Sequence, residues 1–149
     1  MAIPIRVIFF DLGDTLVRSP RTWLPGAKAL VHSLRQAGFQ LGILSNTEGL
    51  TTRQAILDIL PIDFDLGQFE ATLVLFSSEV GKAKPQKEIF EDAIGRAGID
   101  AGQCLYCSED LVETLVAQHV GMRSIRVQTA PNSDLASIKD ALEEFAALV

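Results

Sequence analysis

Carboxylate, hydroxyl and ammonium side chains fall at four places where an apolar run gives way to a connection. Asp11 closes the run Ile5-Arg-Val-Ile-Phe-Phe-Asp11 and leads into Leu12-Gly13-Asp14-Thr15. Ser45-Asn46-Thr47 ends the run Leu41-Gly-Ile-Leu-Ser45, Lys82 and Lys84-Pro85 precede a helical stretch, and Ser108-Glu109-Asp110, with Glu113 beyond, follows Cys104-Leu-Tyr-Cys107. Gathered on one rim, these groups make a site for an anion together with a cation. Magnesium takes one or two carboxylates plus phosphate oxygens, and a lysine and a hydroxyl would hold the remaining phosphate charge.

The elements that must gather them are legible in the periodicity. Apolar runs of strand length alternate with longer segments of helical period, the pattern of a parallel sheet with crossover helices. Strands are expected over 5–11, 39–45, 71–77, 104–108 and 122–127. A helix from about Pro25 carries Ala27, Leu30, Val31 and Leu34 on one stripe and stops at Gly38. Further helices are expected over 50–60, ended by Pro61, and over 86–97, with Ile89, Phe90, Ala93 and Ile94 inward and Gly98 as the stop. A helix holding Leu111, Leu115 and Val116 follows, and a last one runs from about Asp134 to Ala147 with Asn132 or Ser133 as its cap. Right-handed crossovers then require an α/β, doubly wound, Rossmann-like five-stranded parallel sheet with helices on both faces. Its functional edge lies at the carboxyl ends of the strands, where the four groups stand. Residues 1–149 are expected to form a single domain, without internal repeat or linker.

Composition narrows the classes. With 149 residues, 48% of them hydrophobic, the chain is long enough to bury about two-thirds of the surface its unfolded form exposes, which excludes disorder as the main state. No apolar run approaches the roughly 18 residues of a membrane span, and Pro4, Arg6 and Asp11 leave no signal-peptide core, so the expected location is the cytoplasm. A net charge of -6 argues against a phosphate-tracking nucleic-acid surface, though it leaves room for a small anionic ligand. Cys104 and Cys107 form one Cys-x-x-Cys inside an apolar run, with His32 and His119 as the other soft ligands; buried strand residues are expected rather than zinc or redox chemistry.

In order and spacing these segments resemble the haloacid dehalogenase superfamily, most of whose members are phosphohydrolases. The matching residues are Phe9-Phe10-Asp11 through Thr15-Leu-Val, Leu41 through Ser45-Asn-Thr, Val80-Gly-Lys-Ala-Lys84-Pro85 through Ile89-Phe90, and Ser108-Glu109-x-x-x-Glu113 with Gly121-Met122. The likeness covers nearly the whole chain. It implies that Asp11 attacks phosphorus to form an aspartyl phosphate, that Ser45 hydrogen-bonds a phosphoryl oxygen, and that Lys84 neutralises the charge shared by Asp11 and phosphate. Thr15 and Asn46 are expected beside them in substrate binding. Magnesium is implied as cofactor, held by Asp11, the backbone carbonyl of Gly13 and Glu109, with Glu113 assisting.

Three departures from the family's pattern stand out. The usual second aspartate, which protonates the leaving group and then activates water, would stand at Gly13. Losing such proton transfer costs about 10²–10⁴ in rate, which predicts a slow enzyme favouring leaving groups that need no proton. Asp14, one position on, could substitute only if the turn is rewound. Glu109 replaces the usual Asp, moving its carboxylate out by roughly 1.5 Å, one C–C bond, and Ser108 replaces a glycine. The intervals 12–44 and 46–83 are filled by expected helices and strands, so no cap domain fits. Such an open site would admit a phosphorylated small molecule or macromolecule, beside a flap at 17–24 whose Arg18 or Arg21 stands near the opening. Plain structural roles compete at each position: Ser45 and Asn46 as a turn or helix cap, Lys82 in place of Lys84, and Glu109, Asp110 and Glu113 as first-turn acids of a helix. Two other classes follow from the same residues: an impaired domain that binds a phosphorylated ligand or protein without turnover, and a receiver-type module phosphorylated on aspartate. The latter lacks the paired acids that receivers carry after the first strand.

Overall fold

The computed structural model describes residues 4–127. Five parallel strands form the sheet: β1 (Val7–Phe10), β4 (Gln40–Ser45), β5 (Val74–Phe76), β6 (Cys104–Ser108) and β7 (Arg123–Arg126), in the order β5-β4-β1-β6-β7. β1 therefore lies at the centre, paired with β4 through Phe10↔Ile43 and with β6 through Phe10↔Cys107. The chain first winds outward through β4 to β5, then crosses back to β6 and β7, so the strand order reverses beside β1. That reversal opens a crevice at the carboxyl ends, where ligands of such sheets bind. The expected fold class is observed.

Both faces of the sheet are covered, which is why the strands are apolar on consecutive rather than alternate residues. On one face α1 (Ala27–Gln36) and α2 (Arg53–Asp58) bury Ala27, Leu30, Val31, Leu34 and Ile56 against Ile8, Phe10, Leu41 and Ile43. On the other, α4 (Lys87–Ala97) and α5 (Leu111–His119) bury Ile89, Phe90, Ala93 and Ala117 against Val7, Phe9, Tyr106 and Leu44. Each such Leu, Ile or Phe contributes about 1.5–3 kcal/mol relative to exposure. Gly42 explains how β4 sits so near its neighbours: a Cβ there would come within 2.5 Å of the Phe9 ring and 2.7 Å of the Leu73 carbonyl oxygen. Cys104 and Cys107 are buried, free thiols, and burial pushes Cys104 up to about 11 and Cys107 further still.

Several boundaries differ from the periodicity. The third strand starts only at Val74, because Ala71–Leu73 form a 3-10 turn closed by the Leu73 N–H on the Glu70 carbonyl, and Ser77 already opens the short helix α3 (Ser77–Val80). α2 begins at Arg53 since the Thr52 hydroxyl accepts from the Ala55 N–H and caps it. α5 turns Thr114 and Ala117 to the sheet, leaving Leu111 and Leu115 about half exposed at 49% and 52%. Of the three apolar residues expected on this helix, Val116 packs against the core and the two leucines do not, so the helix meets the sheet mainly through its smaller residues. The helix expected over 134–147 falls outside the described residues. Between Asp11 and Lys84 the chain holds, besides these elements, only the antiparallel hairpin β2 (Val17–Arg18) and β3 (Thr22–Trp23) and short turns; no cap domain intervenes. Among the described residues no helix is long and apolar enough to cross a membrane.

Candidate functional site

Asp11 continues the central pairing one residue past β1, its N–H donating to the Cys107 carbonyl at 3.0 Å. Its side chain thereby emerges at the crevice. Oδ1 accepts from the Leu12 N–H at 2.8 Å and from Lys84 Nζ at 2.8 Å, while Oδ2 has only a long contact, 3.4 Å, from the Ser108 hydroxyl. Lys84 Nζ lies 2.8 Å from Glu113 Oε1 and donates to the Tyr106 phenolic oxygen at 3.1 Å. The Tyr106 hydroxyl in turn donates to Glu113 Oε1 at 2.6 Å, and Ser108 Oγ lies 3.2 Å from the same oxygen. The ammonium is 2% exposed and its two carboxylates 10% and 13%, so this is a buried, charge-assisted network.

The loop carrying Lys84 is held there by Asn46. The Asn46 amide accepts from the Lys84 N–H and donates to the Lys84 carbonyl, both at 2.9 Å, closing a two-point bridge between the connections after β4 and before α4. Thr47 adds a second tie: its N–H donates to the Ser77 hydroxyl at 2.7 Å and its hydroxyl accepts from the Ser78 N–H at 3.1 Å. Thr15, fully buried, accepts from the Glu109 N–H at 3.2 Å and so fixes the loop after β6 to the loop after β1. Expected beside a substrate, Asn46 and Thr15 both hold the backbone of other site residues. Asp110 caps α5, accepting from the Glu113 N–H at 3.0 Å, which orients Glu113 toward the crevice.

The remaining positions divide. Ser45 is buried beside the crevice, and among the described residues its hydroxyl has no hydrogen-bond partner. Gly13 has an ordinary backbone conformation, and a Cβ there would meet nothing within 4 Å. Asp14 adopts a left-handed conformation, φ 59°, and its exposed carboxylate is paired with Arg18 at 3.4 Å. Lys82 stands outside the network, 3.3 Å from Asp92. Arg21 donates to the Leu60 carbonyl at 2.7 Å, a structural tie for the hairpin.

The electrostatics show an excess of negative charge. Burial raises Asp11 above the ordinary carboxylate range; the adjacent Lys84 ammonium opposes this without cancelling it, and Glu113 adds to the rise. Glu109 is raised as well, by burial first and then by Asp11, Asp110, Glu113 and Asp14. Burial, with Asp11 and Glu113, also holds Tyr106 well above its usual range, so it is a neutral donor at any working pH. Asp11 and Glu113 thus share one ammonium, and Glu109 stands in their field without a cation of its own among the described residues.

Over residues 12–121 the sequence matches the profile of the haloacid dehalogenase-like hydrolases. The chain belongs to that family. It is 30% identical over 103 residues to the glyceraldehyde 3-phosphate phosphatase of Pyrococcus abyssi (strain GE5 / Orsay), covering 68% of this chain and 41% of that protein. It is 27% identical over 109 residues to the bifunctional riboflavin kinase/FMN phosphatase of Arabidopsis thaliana, covering 72% of this chain and 27% of that one. The matched part is thus less than half of either relative's length. In fold, this haloacid dehalogenase-like domain superposes with a TM-score of 0.70 on a HAD family enzyme from Bacteroides thetaiotaomicron solved in complex with magnesium and inorganic phosphate, at 16% identity over 90% of this chain and 98% of that one.

Tyr106 is the site residue that sequence reasoning missed. A signal existed: it is the single tyrosine of the chain, in the middle of an apolar strand, and a buried phenol needs a hydrogen-bond partner. Strand alternation puts it two residues before Ser108, on the same face, which is where Lys84 and Glu113 lie.

Proposed function

We propose that this domain is a magnesium-dependent phosphomonoester hydrolase working through an aspartyl phosphate on Asp11, slow because position 13 carries no acid. The observation that carries the reading is the buried 2.8 Å contact between Lys84 Nζ and Asp11 Oδ1, made by residues 73 positions apart. An ammonium so placed offsets charge on both the carboxylate and an incoming phosphoryl group. The same contact leaves Oδ2 without a strong partner. In the reaction an Asp11 oxygen forms a bond to phosphorus while the ester P–O bond breaks and its electron pair leaves on the alcohol oxygen. Water then attacks phosphorus, releasing inorganic phosphate and restoring the carboxylate; the proton it sheds balances the one taken up by the leaving group. Ser45, its hydroxyl free, donates to a phosphoryl oxygen, and Lys84 holds the charge in both steps.

The donor set fits magnesium. Glu109 has no side-chain partner among the described residues and sits in the field of four other acids, and the second oxygen of Asp11 is also open. Among the described residues no three acidic, histidine or cysteine side chains form a ready cage, which suits an ion that completes its shell with phosphate oxygens, water and a backbone carbonyl such as that of Gly13. Asp11 and Glu109 would hold it, and Glu113, committed to Lys84, Tyr106 and Ser108, would act through them. When bound, the ion draws charge from the phosphoryl oxygens and offsets the surplus of carboxylates.

The names of the two relatives, phosphatases of small phosphorylated molecules, support a small phosphorylated substrate, and the open crevice is compatible with a phosphorylated macromolecule as well. A second reading is favoured by one observation, the absence of an acid at position 13 with Asp14 turned to Arg18: the domain binds a phosphorylated ligand or protein without turnover. Hydrolysis of an activated aryl phosphate with magnesium separates the two. We expect measurable turnover, lost by about 10⁴-fold or more in Asp11→Asn. A rate untouched by that substitution removes the mechanism, and phosphate binding with no turnover of any ester selects the second reading.

A further inference from the structure

A cavity of about 440 Å³ opens directly beside the proposed phosphoryl site, sharing Gly13 and Ser45 with it. This volume lies in the range of small-molecule sites. Away from that polar end its wall is made by Val17, Leu50, Ile56 and Leu60, with Ile59 at the edge, 54% exposed. Asn46, which also borders it, has both polar side-chain atoms engaged by the backbone of Lys84. At the mouth Asp14 and Arg18 pair with each other. A polyhydroxylated group in this space would therefore give up water for few donors or acceptors, whereas an apolar ring would pack on the apolar wall and cover the exposed parts of Leu50 and Ile59.

The cavity is held open from outside. The hairpin that forms one wall is tied to the segment after α2, which forms the other, by Arg21 on the Leu60 carbonyl at 2.7 Å and by Trp23 Nε1 on Asp63 at 2.8 Å. Trp23 also stacks on Phe64, centroids 5.0 Å apart, a further tie between the same two segments. Little ordering remains to be done when a ligand enters, which favours affinity.

A separate observation points the same way. The cavity lining holds no free acid to protonate a leaving group, since Gly13 has no side chain and Asp14 is paired with Arg18. The alcohol must then depart as its anion, with the electron pair of the broken P–O bond, and take its proton from water. Phenols do this far more readily than alkyl alcohols, whose anions are much more basic. We infer that the cavity receives the organic half of the substrate, and that the substrate class is phosphate monoesters of phenols or comparable aromatic hydroxyl compounds. This rests on the reading of Asp11, Ser45 and Lys84 as a phosphoryl site.

Calorimetric binding of methylphosphonate and benzylphosphonate to the full chain, with magnesium, tests it without requiring turnover. Both are expected to bind, benzylphosphonate at least about ten-fold more tightly, the gain of burying a ring in an apolar wall. Ile59→Asn and Leu50→Asn should each lower that ratio several-fold while leaving the methylphosphonate Kd within about two-fold, with thermal melts confirming that the variants fold. Equal affinity for the two phosphonates, or a preference unmoved by both variants, overturns the aryl inference and leaves the phosphoryl site standing. Failure of both ligands to bind overturns the phosphoryl site and the inference with it.

Discussion

The two flanks of Asp11 are built in different ways. Toward β6 and α5, Lys84, Glu113, Tyr106 and Ser108 are buried and bonded to one another, and the loops that carry them are cross-tied by Asn46 and Thr15. Toward the hairpin, Gly13 presents no side chain, the Ser45 hydroxyl has no partner among the described residues, and a cavity follows. The first flank is preorganised to hold charge, which places its dipoles before the reaction rather than during it. The second supplies room and very little proton chemistry. On the reading proposed above, most charge stabilisation falls on the first flank and any proton delivery would fall on the second, so the two tasks can be probed by different substitutions.

The sharpest way to break the contrast is to give the open flank what it lacks. Gly13 has an ordinary backbone conformation and clear space beyond, so Gly13→Asp is expected to fold normally. If a proton donor is the missing part, hydrolysis of an alkyl phosphate should rise by about 10²–10⁴-fold, while that of an aryl phosphate with a good leaving group rises far less. The ratio of the two kcat/KM values is the readout. A folded variant with an unchanged ratio would show that the turn at 12–15 is not where a leaving group meets its proton.

The contrast also separates what the sequence could and could not disclose. That Asp11, Ser45, Lys84 and Glu109 stand at one edge was legible because each follows an apolar run or precedes a helix, and a doubly wound sheet brings such ends together. The same alternation gave a doubly wound parallel sheet but not its strand order, which the structure supplies. The tasks of Asn46 and Thr15 were not legible, because a polar residue beside a site looks the same whether its partner is substrate or backbone. Here the partners are the Lys84 peptide and the Glu109 N–H, 38 and 94 residues away. Periodicity also failed for α5, where Leu111 and Leu115 share a helix face by spacing, yet the packed face is set by Thr114 and Ala117. The Asp14 to Arg18 pairing depends on a left-handed turn at a non-glycine residue, for which the sequence carries no strong signal.

On the buried flank, Lys84→Met should lower kcat/KM by about 10²–10³-fold, the scale of losing one preorganised donor. It should also move the acid limb of the pH profile in a definite direction. Asp11 must be ionised to attack, and burial already lifts it above the usual carboxylate range, with Lys84 as the main opposing influence. In the metal-free wild type Asp11 is therefore protonated at a pH higher than an ordinary aspartate would give, and without the ammonium that point, and the limb with it, moves further toward neutrality. Stability follows the same sign. Ionised Asp11 and Glu113 without their cation cost the variant most near neutral pH, and the deficit in Tm shrinks as acidification protonates Asp11. A limb that stays in place would mean that Lys84 and Asp11 are not coupled in solution.

The smallest expected effect belongs to Asp14, and it sharpens the comparison because it asks whether the open flank is truly empty. The carboxylate is exposed and held by Arg18 at 3.4 Å, an i,i+4 surface pair of the kind that contributes about 1 kcal/mol or less. If that is its whole role, Asp14→Asn changes alkyl and aryl phosphate turnover by no more than about two-fold, and alike. If the turn rewinds on binding and brings the acid inward, the alkyl rate alone falls, because only the poorer leaving group needs the proton. Arg18→Ala then distinguishes the cases further: releasing Asp14 from its partner should leave a bystander's rates unchanged, but should raise alkyl turnover if the arginine restrains a surrogate acid. The geometry favours the bystander, since φ 59° at Asp14 and its N–H on the Val17 carbonyl fix the turn in the conformation that directs the side chain to the hairpin.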